Sequence, residues 1–208
     1  MTTSNEIFRS SLAKLLAKFQ ADQDHYLSKA YSEAQARIDF ITPFFKALGW
    51  DVENEAGLPH HHREVIVERG ESETTGRPDY NFRMSGQTKF FVEAKAPSEP
   101  LDSTRHILQA KGYAWNTRQV SFVILTDFEE FRFYDASVKP DERKPGGGPR
   151  TAQLGRPSTD GRRAPTAAGE DTGATELERE IASTDAEIDE LVYELYGITD
   201  KERKIIES

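Results

Sequence analysis

No cysteine occurs in the 208 residues, which excludes disulfide staples and thiolate metal sites and leaves oxygen or histidine to hold any metal. No stretch of about 18 consecutive apolar residues occurs, so no membrane span is expected. The opening MTTSNEIFRSSLAKLLAKFQ has no basic start leading into an apolar run, so no export signal is expected and the default address is cytoplasmic. Apolar residues are also scarce, at 36% against 30% charged, which suits one small core with solvated helices and some unpacked chain. The length allows one domain and a tail.

A surplus of positive charge is missing too: the net charge is -9, which by itself argues against phosphate binding. Its distribution weakens that argument. Residues 1–138 hold 16 basic and 20 acidic residues, 139–173 hold 7 and 5, and 174–208 hold 4 and 11, so the excess sits in the last segment. The carboxylates of a metal site would count as negative until the cation binds.

Apolar spacing of three and four marks a helix over 5–20 through Ile7, Phe8, Leu12, Leu15, Leu16 and Phe19. A second runs from Ser32 to Leu48, with Ile38, Ile41, Phe44, Phe45 and Leu48 on one side, a kink expected at Pro43 and a stop at Gly49. Val65–Val67 reads as a strand. Asp79–Arg83 and Lys89–Ala94 read as a hairpin about the Ser85-Gly86 turn. A helix over 103–116 and strands over 120–125 and 130–134 complete the order ααβββαββ, an α/β sandwich with helices flanking a mixed central sheet. Residues 139–175, rich in Pro, Gly and Arg with almost no apolar side chains, read as a disordered linker. Residues 176–208 return to helical spacing as an acidic C-terminal helical hairpin. The division is therefore 1–138, 139–175 and 176–208.

Chemistry concentrates in that hairpin. Asp79 opens one strand and Glu93-Ala94-Lys95 ends the next, so the three charged side chains can meet at one end, with Glu93 and Lys95 on the same face and Ala94 opposite. Two carboxylates and an ammonium suit phosphodiester hydrolysis assisted by a hard divalent cation, since Asp79 and Glu93 offer the oxygen ligands that magnesium prefers. Lys95 would lie beside the nucleophile. The pattern leaves open whether it orients the water, lowers its pKa or stabilises charge on phosphorus. The competing reading is an exposed salt bridge in a hairpin.

The runs RPDYNFRMSGQTKFFVEAKAPSEPL, SEAQARIDFITPFFKALGWDVENE and QAKGYAWNTRQVSFVILTDFEEFRFYD resemble the N-terminal PD-(D/E)xK nuclease domain of type IIG restriction-modification enzymes. The nuclease domain of type I restriction motor subunits is similar. The resemblance covers residues 30–136 and implies a restriction-endonuclease-like core that cuts DNA with Mg2+, for which Mn2+ can substitute. It also implies three further positions. Glu33 matches an acidic residue that helps hold the metal, against the plainer reading of a solvated helix-start glutamate. Gln109 and Tyr113 match a Gln-x-x-x-Tyr element that shares one helix face and contacts the DNA backbone or braces Lys95.

The other candidates carry less. Consecutive His60, His61 and His62 rarely aim at one ion; Trp50 and Trp115 read as core; Arg77, Arg83, Lys111 and Arg118 read equally as phosphate contacts or as ordinary surface charge. No Gly-rich cofactor loop and no Asn-Pro-Pro-Tyr occur, so no S-adenosylmethionine is expected. Yet TDAEIDELVYELYGITDKERKIIE resembles the helices that close type IIG enzymes, which points to a shortened form. Specificity would then reside in a methyltransferase or specificity partner protein. The alternative is a non-catalytic DNA-binding or assembly module that keeps the nuclease fold.

Overall fold

Six short strands, the first five built from β-branched and aromatic residues, pair into a mixed sheet whose two faces are both apolar, and helices cover each face. In the computed structural model the described residues are 4–68, 76–117, 120–145 and 150–153. The chain divides into two compact units, Met1–Thr151 and Ala152–Ser208, and of the second only residues 152–153 are described. The helical hairpin expected over 176–208 lies outside the described residues, as does the linker beyond 153.

The helices are α1 (Ser4–Ala21), α2 (Gln23–Tyr26), α3 (Glu33–Ala36), α4 (Thr42–Ala47) and α5 (Thr104–Trp115). The strands are β1 (Val65–Val67), β2 (Tyr80–Met84), β3 (Gln87–Ala94), β4 (Phe122–Thr126), β5 (Glu130–Asp135) and β6 (Arg150–Gln153). They lie in chain order, β1-β2-β3-β4-β5-β6. All described pairings are antiparallel except β3 with β4, which is parallel and carries α5 in its crossover. The expected order of elements is present, with α2 and β6 in addition. Strand β6 falls inside the stretch read from composition as a disordered linker.

The β2–β3 hairpin closes as its sequence predicts. Ser85 (φ 50°) and Gly86 (φ 78°) both take positive φ, the pair of conformations whose twist matches that of the flanking strands. Phe82, Phe90 and Phe122 stack across three neighbouring strands, with ring centroids 4.4 and 4.7 Å apart. That face packs on α4 through Phe45, 4.6 Å from Phe82, and Phe44, 4.7 Å from Phe131, and Phe44 in turn meets Phe8 of α1 edge-on. On the opposite face Phe91, Val123, Leu125 and Tyr134 pack with Ile107, Ala110 and Ala114 of α5.

The helix expected from Ser32 to Leu48 departs from regular geometry. Arg37–Ile41 form one π turn between α3 and α4, in which the Thr42 N–H bonds the Arg37 carbonyl five residues back. Pro43 follows at once and has no N–H to return to the Asp39 carbonyl, so the bend expected there is delivered as a widened turn. Lys18 Nζ reaches that carbonyl at 3.4 Å and the Asp39 carboxylate at 2.7 Å. The wider turn rotates the residues within it. Ile38, expected on the packed side, is therefore 73% exposed, while Phe40 and Ile41 are fully buried. Phe40 meets Tyr26 and Phe128 at 4.8 Å each and Phe19 at 5.3 Å.

Phe128 (φ 79°) is a bulky residue in the left-handed region, held in the β4–β5 turn by burial against Phe40. Beside it Asp127 is buried, and its carboxyl is pushed up to about 7 by desolvation, partly offset by the Glu130 N–H at 2.8 Å and reinforced by the nearby Glu129 and Glu130 charges. A raised carboxyl contributes its full stability below the unfolded pKa, and that contribution is lost as the pH rises through the folded pKa. Asp127→Asn keeps the accepting oxygen and removes the charge. It should change the unfolding free energy little at pH 4 and raise it at pH 8 by up to about 4 kcal/mol. Denaturant melts at the two pH values check this, and an equal effect at both would contradict it. Phe40→Ala should cost about 3–5 kcal/mol at either pH, read from the same melts.

Candidate active site

Asp79 directly precedes β2, Glu93 is the next-to-last residue of β3, and Lys95 is the first residue beyond it. Tyr80 pairs with Val92, so the register places Asp79 beside Glu93 at one end of the hairpin. Asp79 and Glu93 are both 0% exposed, and Lys95 is buried with them.

Such charges persist in a dry environment only when each has partners. Asp79 Oδ2 accepts the Ala94 backbone N–H at 2.8 Å, and its Oδ1 accepts Arg37 Nη1 at 2.8 Å. Lys95 Nζ donates to Glu93 Oε1 at 2.8 Å and to Glu33 Oε2 at 3.4 Å, and its backbone N–H bonds the Thr126 carbonyl of the parallel neighbour β4. Glu33 enters from the first turn of α3. A capping box starts that helix: Ser32 Oγ accepts the Gln35 N–H at 3.3 Å, and Gln35 Oε1 accepts the Ser32 N–H at 3.0 Å.

The protonation equilibria follow from this arrangement. Desolvation raises the Asp79 carboxyl, and Arg37, the Ala94 N–H and Lys95 oppose the rise without cancelling it. Desolvation and the Asp79 charge together raise Glu33 against the pull of Lys95 and Arg37. Desolvation alone would lower the Lys95 ammonium, but Glu93 and Glu33 reverse that and leave it above its ordinary value. Two cations face three carboxylates, so the cluster holds an excess of negative charge.

Gln109 and Tyr113 lie one turn apart on α5, and Gln109 Nε2 donates to the Tyr113 hydroxyl at 3.1 Å. With Arg77, Phe91 and Pro78, the residue before the buried Asp79, they line a groove. Desolvation raises the Tyr113 hydroxyl, and the Glu93 and Asp79 charges add to the rise.

The remaining candidates are placed elsewhere. His60–His62 form an exposed 3-10 turn away from the carboxylates. Arg83 is committed to the carbonyls of His60, His61 and Gly86, tying the hairpin turn to that segment. Lys111, weighed as a phosphate contact, is instead buried, with Nζ 5.9 Å from the Tyr134 ring centre and 3.5 Å from the Pro145 carbonyl. Arg77 stays exposed beside the groove, 3.5 Å from Glu68. Trp50 packs edge-on against Phe82 and Phe90 as expected of core, but Trp115 does not: it ends α5 and is 45% exposed, because the helix turns its small residues Ala110 and Ala114 to the sheet. Arg118 lies outside the described residues.

Arg37 was not singled out by sequence reasoning. The signal available was its position four residues after Glu33, which places both on one helix face.

The donor set fits a hard cation: Asp79 and Glu93 offer oxygen alone, and magnesium is commonly held by one or two carboxylates with water and phosphate completing its shell. Among the described residues no group of three or more His, Asp and Glu side chains converges as a metal site. Glu33, expected as a metal ligand, is brought to Lys95.

No protein-family model matches the chain, and no solved structure matches it. The chain is similar to the type II restriction enzyme and methyltransferase RM.Eco57I of Escherichia coli, 40% identical over 139 residues. Those residues are 64% of this chain and 14% of that protein. The chain therefore spans a small part of the relative's length, and it is related to a restriction-modification enzyme.

Proposed function

We propose that residues 1–138 form a magnesium-dependent DNA endonuclease core of the PD-(D/E)xK type that serves a restriction-modification system. The observation that carries this reading is the pairing, at one end of the hairpin, of two fully buried carboxylates with a buried lysine 2.8 Å from one of them. A purely structural salt bridge would be stabilised more by apolar replacements than by three desolvated charges, so the arrangement is better accounted for by chemistry. The relationship to a restriction enzyme selects phosphodiester hydrolysis from among the reactions such a cluster could serve.

In this reading Asp79 and Glu93 present oxygens to the cation, and the alternating strand aims Glu93 and Lys95 to the same side. A bound magnesium ion would supply Lewis acidity toward the phosphate and lower the pKa of an attacking water. Lys95, released from part of its bonding with Glu93 and Glu33, donates a hydrogen bond to that water or to the phosphate oxygen that gains charge. Glu33 steadies the ammonium. The Gln109–Tyr113 pair and Arg77 border the groove through which a DNA backbone would reach Asp79.

The relative is named as a methyltransferase as well, and this chain aligns with a small fraction of it. In this reading the nuclease works alongside a methyltransferase or specificity protein, the class of partner that a restriction-modification relative implies.

Supercoiled plasmid nicked in magnesium or manganese is the direct assay. Lys95→Ala and Asp79→Asn should lower the nicking rate roughly a hundredfold or more, with EDTA abolishing it in the wild type. Circular dichroism verifies folding of each variant. Identical rates for wild type and Lys95→Ala would remove the catalytic assignment. DNA binding without metal-dependent cleavage, unaltered by Asp79→Ala, would instead identify a non-catalytic binding module.

A further inference from the structure

The guanidinium of Arg37 is held on three sides. Nη1 bonds Asp79 Oδ1 at 2.8 Å, Nη2 bonds the Glu68 carbonyl, and the group lies 5.2 Å from the centre of the Tyr80 ring. Tyr80 is in turn fixed by a 2.9 Å hydrogen bond between its hydroxyl and Thr42 Oγ1. Two of these three anchors do not involve Asp79. With its side chain only 12% exposed, Arg37 has little solvent in which to swing away when a cation arrives.

The backbone that presents it is set just as firmly. The capping box at Ser32 fixes where the helix starts, and Pro43 fixes where α4 begins. Arg37 opens the π turn between them, a local widening of the kind often found where a side chain must be aimed.

The consequence falls on Asp79. Each carboxylate oxygen has two lone pairs. Arg37 claims one on Oδ1 and the Ala94 N–H claims one on Oδ2, both from rigid backbone-anchored positions, so the orientation of the carboxylate is decided before any metal binds and one lone pair per oxygen stays available. Lys95 is built differently: its partners are the carboxylates Glu93 and Glu33, and its ammonium sits on a flexible four-carbon stem.

We propose that Arg37 is a positioning residue that stays bonded to Asp79 and pre-orients it for the divalent cation, while Lys95 is the cation that moves with the substrate. The proposal rests on the reading of Asp79 as a metal-binding carboxylate. Two other roles are distinguishable. A group that merely occupies the place of the cation would compete with it, so its removal would tighten metal binding. A group that only staples α3 to the sheet would affect unfolding and leave metal affinity unchanged.

The test is a Mn2+ titration of the full chain followed by electron paramagnetic resonance, for wild type, Asp79→Asn, Arg37→Lys and Arg37→Met. Thermal melts and cleavage over a range of Mn2+ accompany it. Wild type should bind Mn2+ and Asp79→Asn should not. Arg37→Lys keeps the charge but loses the planar fork that serves Asp79 and Glu68 together. It should weaken Mn2+ binding roughly tenfold, and Arg37→Met more, within the range of about ten- to a hundredfold seen when a group that orients a metal ligand is removed. The half-saturating Mn2+ for cleavage should move in step, with the turnover rate at saturating metal changing much less.

Unchanged or tighter Mn2+ binding in Arg37→Lys, with wild type binding normally, overturns the positioning role alone. Failure of wild type itself to bind Mn2+ overturns the metal-site reading and takes this inference with it. Should Arg37→Met fail to fold, Arg37→Lys and Arg37→Gln supply the comparison.

Discussion

Burying Asp79 and Glu93 side by side imposes a demand that the surrounding structure meets. Both carboxylates are shut off from water, and their mutual repulsion in a low-dielectric environment has to be compensated locally. A backbone N–H from Ala94, the guanidinium of Arg37 and the ammonium of Lys95 supply that compensation from three elements: the end of β3, the π turn between α3 and α4 and the first residue beyond the strand. Remove the demand and there is little reason for an arginine to be aimed at Asp79 from the π turn or for a lysine to lie buried at a strand end.

The aromatic packing makes the arrangement rigid. Phe82, Phe90 and Phe122 stack across the sheet, Phe45 locks α4 onto them, and Phe40 seats the π turn between Tyr26 and Phe128. Because the same helix carries Glu33, Arg37 and Phe40, its packing and its electrostatics are not independent: the turn that buries Phe40 also brings Arg37 to Asp79. The two cations that result are unlike one another. Arg37 is pinned by the Glu68 carbonyl and the Tyr80 ring as well as by Asp79, whereas Lys95 is bonded to the carboxylates Glu93 and Glu33. Under the proposed function, pre-orientation by the first and adaptability in the second suit a reaction that binds a small hard ion and then a phosphate.

Much of the architecture is legible in the residues. The β-branched and aromatic strand segments, the Ser85-Gly86 turn and the three- and four-residue spacing in α1 and α5 are local features of the chain, and each element lies where they place it, although Ile7 of α1 is 55% exposed. Ile38 and Trp115 were misplaced for one shared reason: helical periodicity assumes a regular 3.6-residue turn and ranks side chains by hydrophobicity. It sees neither a π turn that rotates Ile38 outward nor a helix that presents alanines to the sheet and leaves its tryptophan outside. Strand β6 escaped notice because Arg150–Gln153 pairs through its backbone, and its composition is that of a polar linker.

The amino-acid order alone determined that Asp79, Glu93 and Lys95 share one end of a hairpin, since strand period and turn length are local properties of the chain. It also determined that Glu33 and Arg37 share a helix face. Which of these groups meet was decided by tertiary structure. Arg37 and Asp79 are 42 positions apart and Lys95 and Glu33 are 62 apart. Contacts of that range depend on how a deformed helix docks against a sheet, and pairwise spacing in a sequence contains no term for that.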